Sequence, residues 1–169
     1  MIRIGVIAVM LGLLLGCSPE YNWRDVSVGE GAVKATFPDK PVTEMRKLDF
    51  SGHNVEFSVT ATTVKGATFA VGYAPMPAAI RDDEKARNVM GDQVIQSFYR
   101  NLGIAPPSSL PALGAPFVIR GQSPRGEIEL QAMVRVTPFA LVEGVVTANT
   151  EAFPQEQATE FLRSIIVAH

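Results

Sequence analysis

The amino-acid sequence predicts an α+β fold: an antiparallel β-sheet packed by two main helices, behind an N-terminal signal helix. Three observations predict it. Apolar and polar residues alternate with period two in paired runs, Val55–Val64 with Thr68–Tyr73 and Glu127–Thr137 with Phe139–Ala148. Two stretches, from Asp82 to Leu102 and from Pro154 onward, carry apolar residues at helical spacing. The links within each strand pair are hairpin-length turns, which join antiparallel neighbours and segregate the helices from the strands.

In chain order, Val26–Val28 and Ala32–Phe37 read as short strands around the turn Gly29-Glu30-Gly31, and Phe-Pro-Asp-Lys-Pro at 37–41 ends the second. Residues 42–50 form a further strand, closed by Ser51-Gly52-His53-Asn54. In the next strand Val55, Phe57, Val59 and Ala61 alternate with Glu56, Ser58, Thr60 and Thr62. Lys65-Gly66 turns the chain, and Phe69, Val71 and Tyr73 share a face on the return. Asp82 is the expected cap of the first helix, with Asp83 and Glu84 at the positive end of its dipole. Its stripe is Ala86, Met90, Val94, Phe98 and Leu102, broadened by Val89 and Ile95, and Gly103 stops it. Residues 104–116, IAPPSSLPALGAP, form a Pro-rich surface loop.

After a strand at Phe117–Arg120 and a turn at 122–126, Ile128, Leu130, Ala132, Val134 and Val136 are expected to face inward. Glu129, Gln131, Met133 and Arg135 are expected to face outward. The Phe139–Ala148 strand is apolar on both faces, which places it centrally with a helix on one side. Pro154 suits the first turn of the last helix, whose stripe is Ala158, Phe161, Leu162 and Ile165. Residues 165–168 end the chain as a short strand or helix tail.

Length and composition permit one domain with a proper core: 169 residues, 47% hydrophobic and 19% charged. The net charge of −2 is spread along the chain without a basic stripe, which argues against a nucleic-acid partner. The single cysteine forbids an intrachain disulfide. No Cys/His cluster has zinc spacing, so no metal and no cofactor is expected.

That cysteine is Cys17, at the end of MIRIGVIAVMLGLLLGC. Arg3 and the terminal amine supply a positive start, and residues 4–15 an apolar run. The run fits a signal peptide and is shorter than the roughly 20 residues of a bilayer-spanning helix. Leu14-Leu15-Gly16-Cys17 resembles the lipobox of bacterial lipoproteins, with a bulkier residue at Leu15 than the Ala or Ser often found there. The resemblance implies cleavage between Gly16 and Cys17 and a diacylglycerol on the Cys17 thiol. The domain boundaries then follow: residues 1–16 a lipoprotein signal peptide, 17–22 a tether and 23–169 the α+β domain. Removing Arg3 with the peptide leaves the mature chain at −3. In enteric-type lipoproteins Ser18 after the cysteine favours the outer over the inner membrane.

Three further segments resemble small bacterial exported domains of unknown role with a layout similar to the PsbP-like α/β/α sandwich. They are Val33–Pro41, Gly121–Glu127 and Glu160–Ile165. This resemblance implies a fold and carries no catalytic residue.

Candidate sites are few. His53 lies between Asp49 and Glu56; Gly52 and Asn54 beside it argue for an exposed hairpin turn, against the alternative of a base or metal ligand. His169 is terminal. Arg81-Asp82-Asp83-Glu84 lacks the spaced oxygens of a calcium loop and reads as helix capping. Ser123 lacks a nucleophile elbow and a histidine partner. Trp23, the only tryptophan, is expected to open the core, the alternative being a place near the lipid interface. Pro106, Pro107 and Leu110 in the loop, with Phe139, form a possible ligand or partner surface. The sequence therefore predicts a non-enzymatic, lipid-anchored envelope protein with an unknown protein partner. A carrier of a small hydrophobic ligand, walled by 104–116 and 139–148, is the alternative. An envelope hydrolase built on His53 is a third class.

Overall fold

The computed structural model describes residues 20–50 and 53–168. The predicted signal peptide with Gly16, the first half of the predicted tether with Cys17, residues 51–52 and His169 lie outside the described residues. The strands are β1 (Arg24–Val28), β2 (Val33–Phe37), β3 (Val42–Phe50), β4 (His53–Val64) and β5 (Ala67–Pro75). After a 3-10 turn at Ala78–Ile80 comes helix α1 (Glu84–Asn101). Then follow β6 (Phe117–Ser123), β7 (Gly126–Val136), β8 (Ala140–Asn149), a second 3-10 turn at Thr150–Ala152, α2 (Gln155–Ser164) and β9 (Ile166–Val167).

The fold is α+β, and every strand pairing is antiparallel. The strands divide between two sheets: six in the order β3-β4-β5-β8-β7-β6, and three in the order β1-β2-β9. The N-terminal hairpin therefore leaves the main sheet and pairs with the end of the chain, Val33 opposite Val167. The tail resolves as a strand because β2 offers it an edge.

Helix α1 covers one face of the large sheet, where Met90, Val94, Ile95 and Phe98 pack against Ile119, Leu130, Ala132, Val134 and Leu141. The small sheet and α2 cover the other face. There Val33, Phe37, Phe69, Val71, Val142, Val146 and Phe161 form a second core, and Tyr21 and Trp23 pack against it. Asn22 N–H also donates to Pro38 C=O at 2.8 Å, so the last predicted tether residues belong to the domain. Strand β8 is central, as its doubly apolar sequence predicts, and it is covered on both faces rather than one. Gly144 lets α2 rest on it: a Cβ there would lie 2.4 Å from Ile165 Cδ1 and 2.9 Å from Leu162 Cδ2.

Several expectations are corrected. Asp82 belongs to the turn before the helix. The cap is Asp83, in extended conformation, with its carboxylate accepting from Ala86 N–H at 2.9 Å. Val89 is 48% exposed, because α1 seats its Met90–Val94–Phe98 face on β7 and, among the described residues, nothing covers the neighbouring face. Pro154 caps α2 from just outside its first turn.

The largest correction concerns polar faces. Strand alternation turns Glu129, Gln131 and Met133 toward solvent, yet all three are buried beneath the α2 layer. Ser58 and Thr60, the polar alternates of β4, are buried likewise. Burial is tolerated because the polar atoms are paired. Thr60 Oγ1 meets Thr43 Oγ1 at 2.8 Å, and Glu129 binds Arg120 Nε at 2.9 Å. Gln131 exchanges amide hydrogen bonds with Gln155 at 2.7 and 3.3 Å.

Candidate functional site

The α2 and small-sheet layer is narrower than the six strands beneath it, and a groove flanks it on either side. The groove over β3 and β4 is lined by Glu30, Thr43, Met45, Glu56, Ser58, Thr60 and Tyr73. It encloses about 410 Å³. The paired hydroxyls of Thr43 and Thr60 lie in its floor, and its carboxylates are Glu30 and Glu56. The β1–β2 turn sits directly on the Tyr73 ring: a Cβ on Gly29, whose φ is +61°, would lie 2.5 Å from Tyr73 Cδ1. Glycine is required there by both the left-handed backbone and the close approach. Burial raises the Tyr73 phenol above its ordinary pKa, and the Glu30 carboxylate adds to the rise.

The groove over β6 and β7 encloses about 580 Å³, within the usual range for small-molecule sites. Val118, Met133, Leu162 and Ile165 give it an apolar floor, and Gln131, Gln155, Arg135 and Arg163 its polar contacts. Strand alternation brings Gln131, Met133 and Arg135 to one face of β7. Helix α2 runs alongside from Gln155 to Arg163. Gln155 bonds Gln131, and farther along α2 Leu162 and Ile165 lie against Gly144, the β8 partner of Met133, so helix and strand advance the same way and Arg135 and Arg163 both lie beyond the amide pair. From Gln131 to Arg135 the strand spans roughly 13 Å. Arg135 Nη2 donates to Met133 Sδ at 3.6 Å, which lays its guanidinium along the floor. Among the described residues neither arginine has a carboxylate partner.

The predicted surface of Pro106, Pro107, Leu110 and Phe139 is brought together only in part. The 104–116 segment has no regular secondary structure, as expected. It also serves as a cover: Ile104, Leu110 and Leu113, each half-buried, pack against the α1 core. Pro106 is half-buried and Pro107 exposed. The end of the loop, Gly114 and Pro116, lines the β6–β7 groove, and Gly114 N–H extends the ladder by donating to Val134 C=O at 2.7 Å. Phe139 is 64% exposed on the β7–β8 turn. Its backbone is held by Thr137 Oγ1 and by Met76 N–H, which donates to Phe139 C=O. Residues 139–148 do not line this groove; α2 supplies the wall.

His53 opens β4, with its Cα paired to Phe50. Glu56 belongs to the acidic groove. Ser123 Oγ donates to Gly126 C=O at 3.0 Å and accepts from Arg125 N–H, closing the β6–β7 turn. Of the 81–84 run, Asp83 is the helix cap. Among the described residues no group of three or more His, Cys, Asp or Glu side chains is placed to hold a metal. Among the same residues no helix is long and apolar enough to cross a membrane.

One titratable group escaped sequence reasoning. Glu143, on central β8, lies over Gly72: a Cβ on Gly72 would come within 2.5 Å of both the Glu143 carboxyl and the Phe57 ring. Burial pushes its pKa from 4.5 to about 7. The signal was a lone acid within an apolar run. The chain matches no protein-family model, and no curated protein or solved structure is detectably similar to it.

Proposed function

We propose that this chain is a lipid-anchored protein of the bacterial cell envelope, with its domain facing the periplasm as a non-enzymatic binding or assembly accessory. The observation that carries the proposal is Leu14-Leu15-Gly16-Cys17 behind an apolar run of signal-peptide length. Acyl chains on Cys17 would provide the tether: each buried CH₂ contributes about 0.8 kcal/mol, one chain holds marginally, and two hold firmly. Ser18 favours the outer membrane. Two open grooves of opposite charge support a binding role. A helix on one face of the large sheet and a helix with a small sheet on the other is consistent with a PsbP-like sandwich.

A second reading, carriage of a small hydrophobic ligand, is favoured by the apolar floor of the β6–β7 groove. The test of the anchor is intact-mass analysis of the protein extracted from its native membrane. The expected species begins at Cys17 and carries a diacylglycerol with or without a further acyl group. The Cys17→Ser chain is expected to lack the lipid and to retain residues 1–16. An intact leader on an unmodified thiol in the unsubstituted protein would overturn the proposal.

A further inference from the structure

We infer that the β6–β7 groove binds a single-chain anionic amphiphile, its apolar tail on Met133, Leu162, Ile165 and Val118 and its head between Arg135 and Arg163. The inference deepens the carrier reading and is independent of the anchor on Cys17.

The groove is amphipathic along its length. The Gln131–Gln155 amide pair closes one end, and those amides satisfy each other. Both arginines stand at the other end. Three apolar side chains of the floor, Met133, Leu162 and Ile165, belong to the core and are at most 6% exposed, so they form a fixed surface. Val118, 50% exposed, extends that surface toward solvent at the edge of the sheet. A large apolar side chain left open beside a rigid apolar floor is what an alkyl chain covers.

The head is specified by charge. Arg163, in the last turn of α2, complements the helix dipole, which accounts for its position but leaves its guanidinium fork open. Arg135 has no such role. It lies on a strand, and among the described residues its hydrogen-bonding partner is the neutral Met133 thioether. A guanidinium presents paired N–H donors that match a carboxylate or a phosphate, and two at one end of an apolar groove select an anion over a cation. Of the neighbouring acids, Glu129 is bound by Arg120, and Glu156 and Glu160 line the outer flank of α2, which Arg163 also borders, without either forming an ion pair with it among the described residues.

The test uses the whole protein extracted from its membrane in a neutral detergent and a diazirine-bearing fatty acid as probe. Photolabelling followed by peptide mapping is expected to place the crosslinks within 114–118, 131–135 and 155–165. Dodecanoate and dodecyl phosphate should compete, and the better competitor identifies the head as carboxylate or phosphate. Dodecyltrimethylammonium, with the same tail and the opposite charge, should compete about tenfold less well. Arg135→Gln combined with Arg163→Gln should lower labelling about tenfold with the thermal melting temperature unchanged. Labelling spread evenly over the surface, labelling undiminished in the double variant, or equal competition by the cation would each overturn the inference. The competition arm needs no variant, so a folding defect cannot mask the result.

Discussion

Phe161→Ala is expected to destabilise the domain by about 4 kcal/mol, toward the upper end of what a single core truncation costs. Phe161 is fully buried on α2 and holds three elements at once. Its ring meets Phe37 of β2 at 5.1 Å and 65°, and Phe69 of β5 at 5.5 Å and 82°. Edge-to-face pairs contribute about 0.5–1.5 kcal/mol each beyond their buried area, and truncation adds the cost of a cavity that rigid strands on two sides cannot close. Typical domains have only about 5–15 kcal/mol in hand, so the variant should sit near the limit of folding. Urea denaturation measures the loss directly, and thermal melting should fall by roughly 8–16 °C for a chain of this size. Phe161→Leu, which keeps most of the volume and loses the ring contacts, should cost less than half as much. A change under about 1 kcal/mol for the alanine variant would mean that α2 is not the clasp between the two sheets.

The same residue marks how far the sequence could be read. Ala158, Phe161, Leu162 and Ile165 were legible as a buried stripe because helical periodicity is local. The strands were legible for the same reason, and so were the turn at Gly29-Glu30-Gly31 and the stop at Gly103. The assignment of each stripe to a partner was not. Ser164 Oγ accepts a hydrogen bond from Thr36 N–H across 128 positions of sequence, and no local pattern announces that contact. The split into two sheets depends on β9 returning to β2, which is equally remote. Polar alternation misled where polar groups find protein partners. Gln131 reads as a solvent residue until Gln155 is placed above it, and Thr60 until Thr43 is placed beside it. The groove was invisible for that reason: Arg135 and Arg163 are ordinary surface residues one at a time, and only the course of α2 over β7 brings them to one end. The loop offered a partial signal, since its Pro-rich 104–116 segment does reach the groove, but through Gly114 and Pro116 rather than Leu110.

Glu143 supplies a second large expected effect, on the pH dependence of stability. Its carboxyl lies against Phe57 over Gly72 on the α1 face of the large sheet, and burial alone raises its pKa from 4.5 to about 7. Arg46, paired with Phe57 on that face, is bound to Glu44 at 3.1 Å. The folded state thus keeps a proton that the unfolded chain has released between about pH 4.5 and pH 7. Stability contributed by the neutral acid is full below the unfolded value, declines across that window as pH rises, and is gone above it. A rise of this size corresponds to about 3 kcal/mol, and the partial exposure of the side chain reduces the expected loss to about 2 kcal/mol. Glu143→Gln keeps the shape and removes the ionisation. It should be about 2 kcal/mol more stable than the unsubstituted protein near pH 8 and no different near pH 4.5. Urea denaturation at several pH values across the window checks both halves of the statement. Parallel pH profiles for the two proteins would show that the carboxyl reaches water, and that the Gly72 opening serves only the packing of β5 against β8.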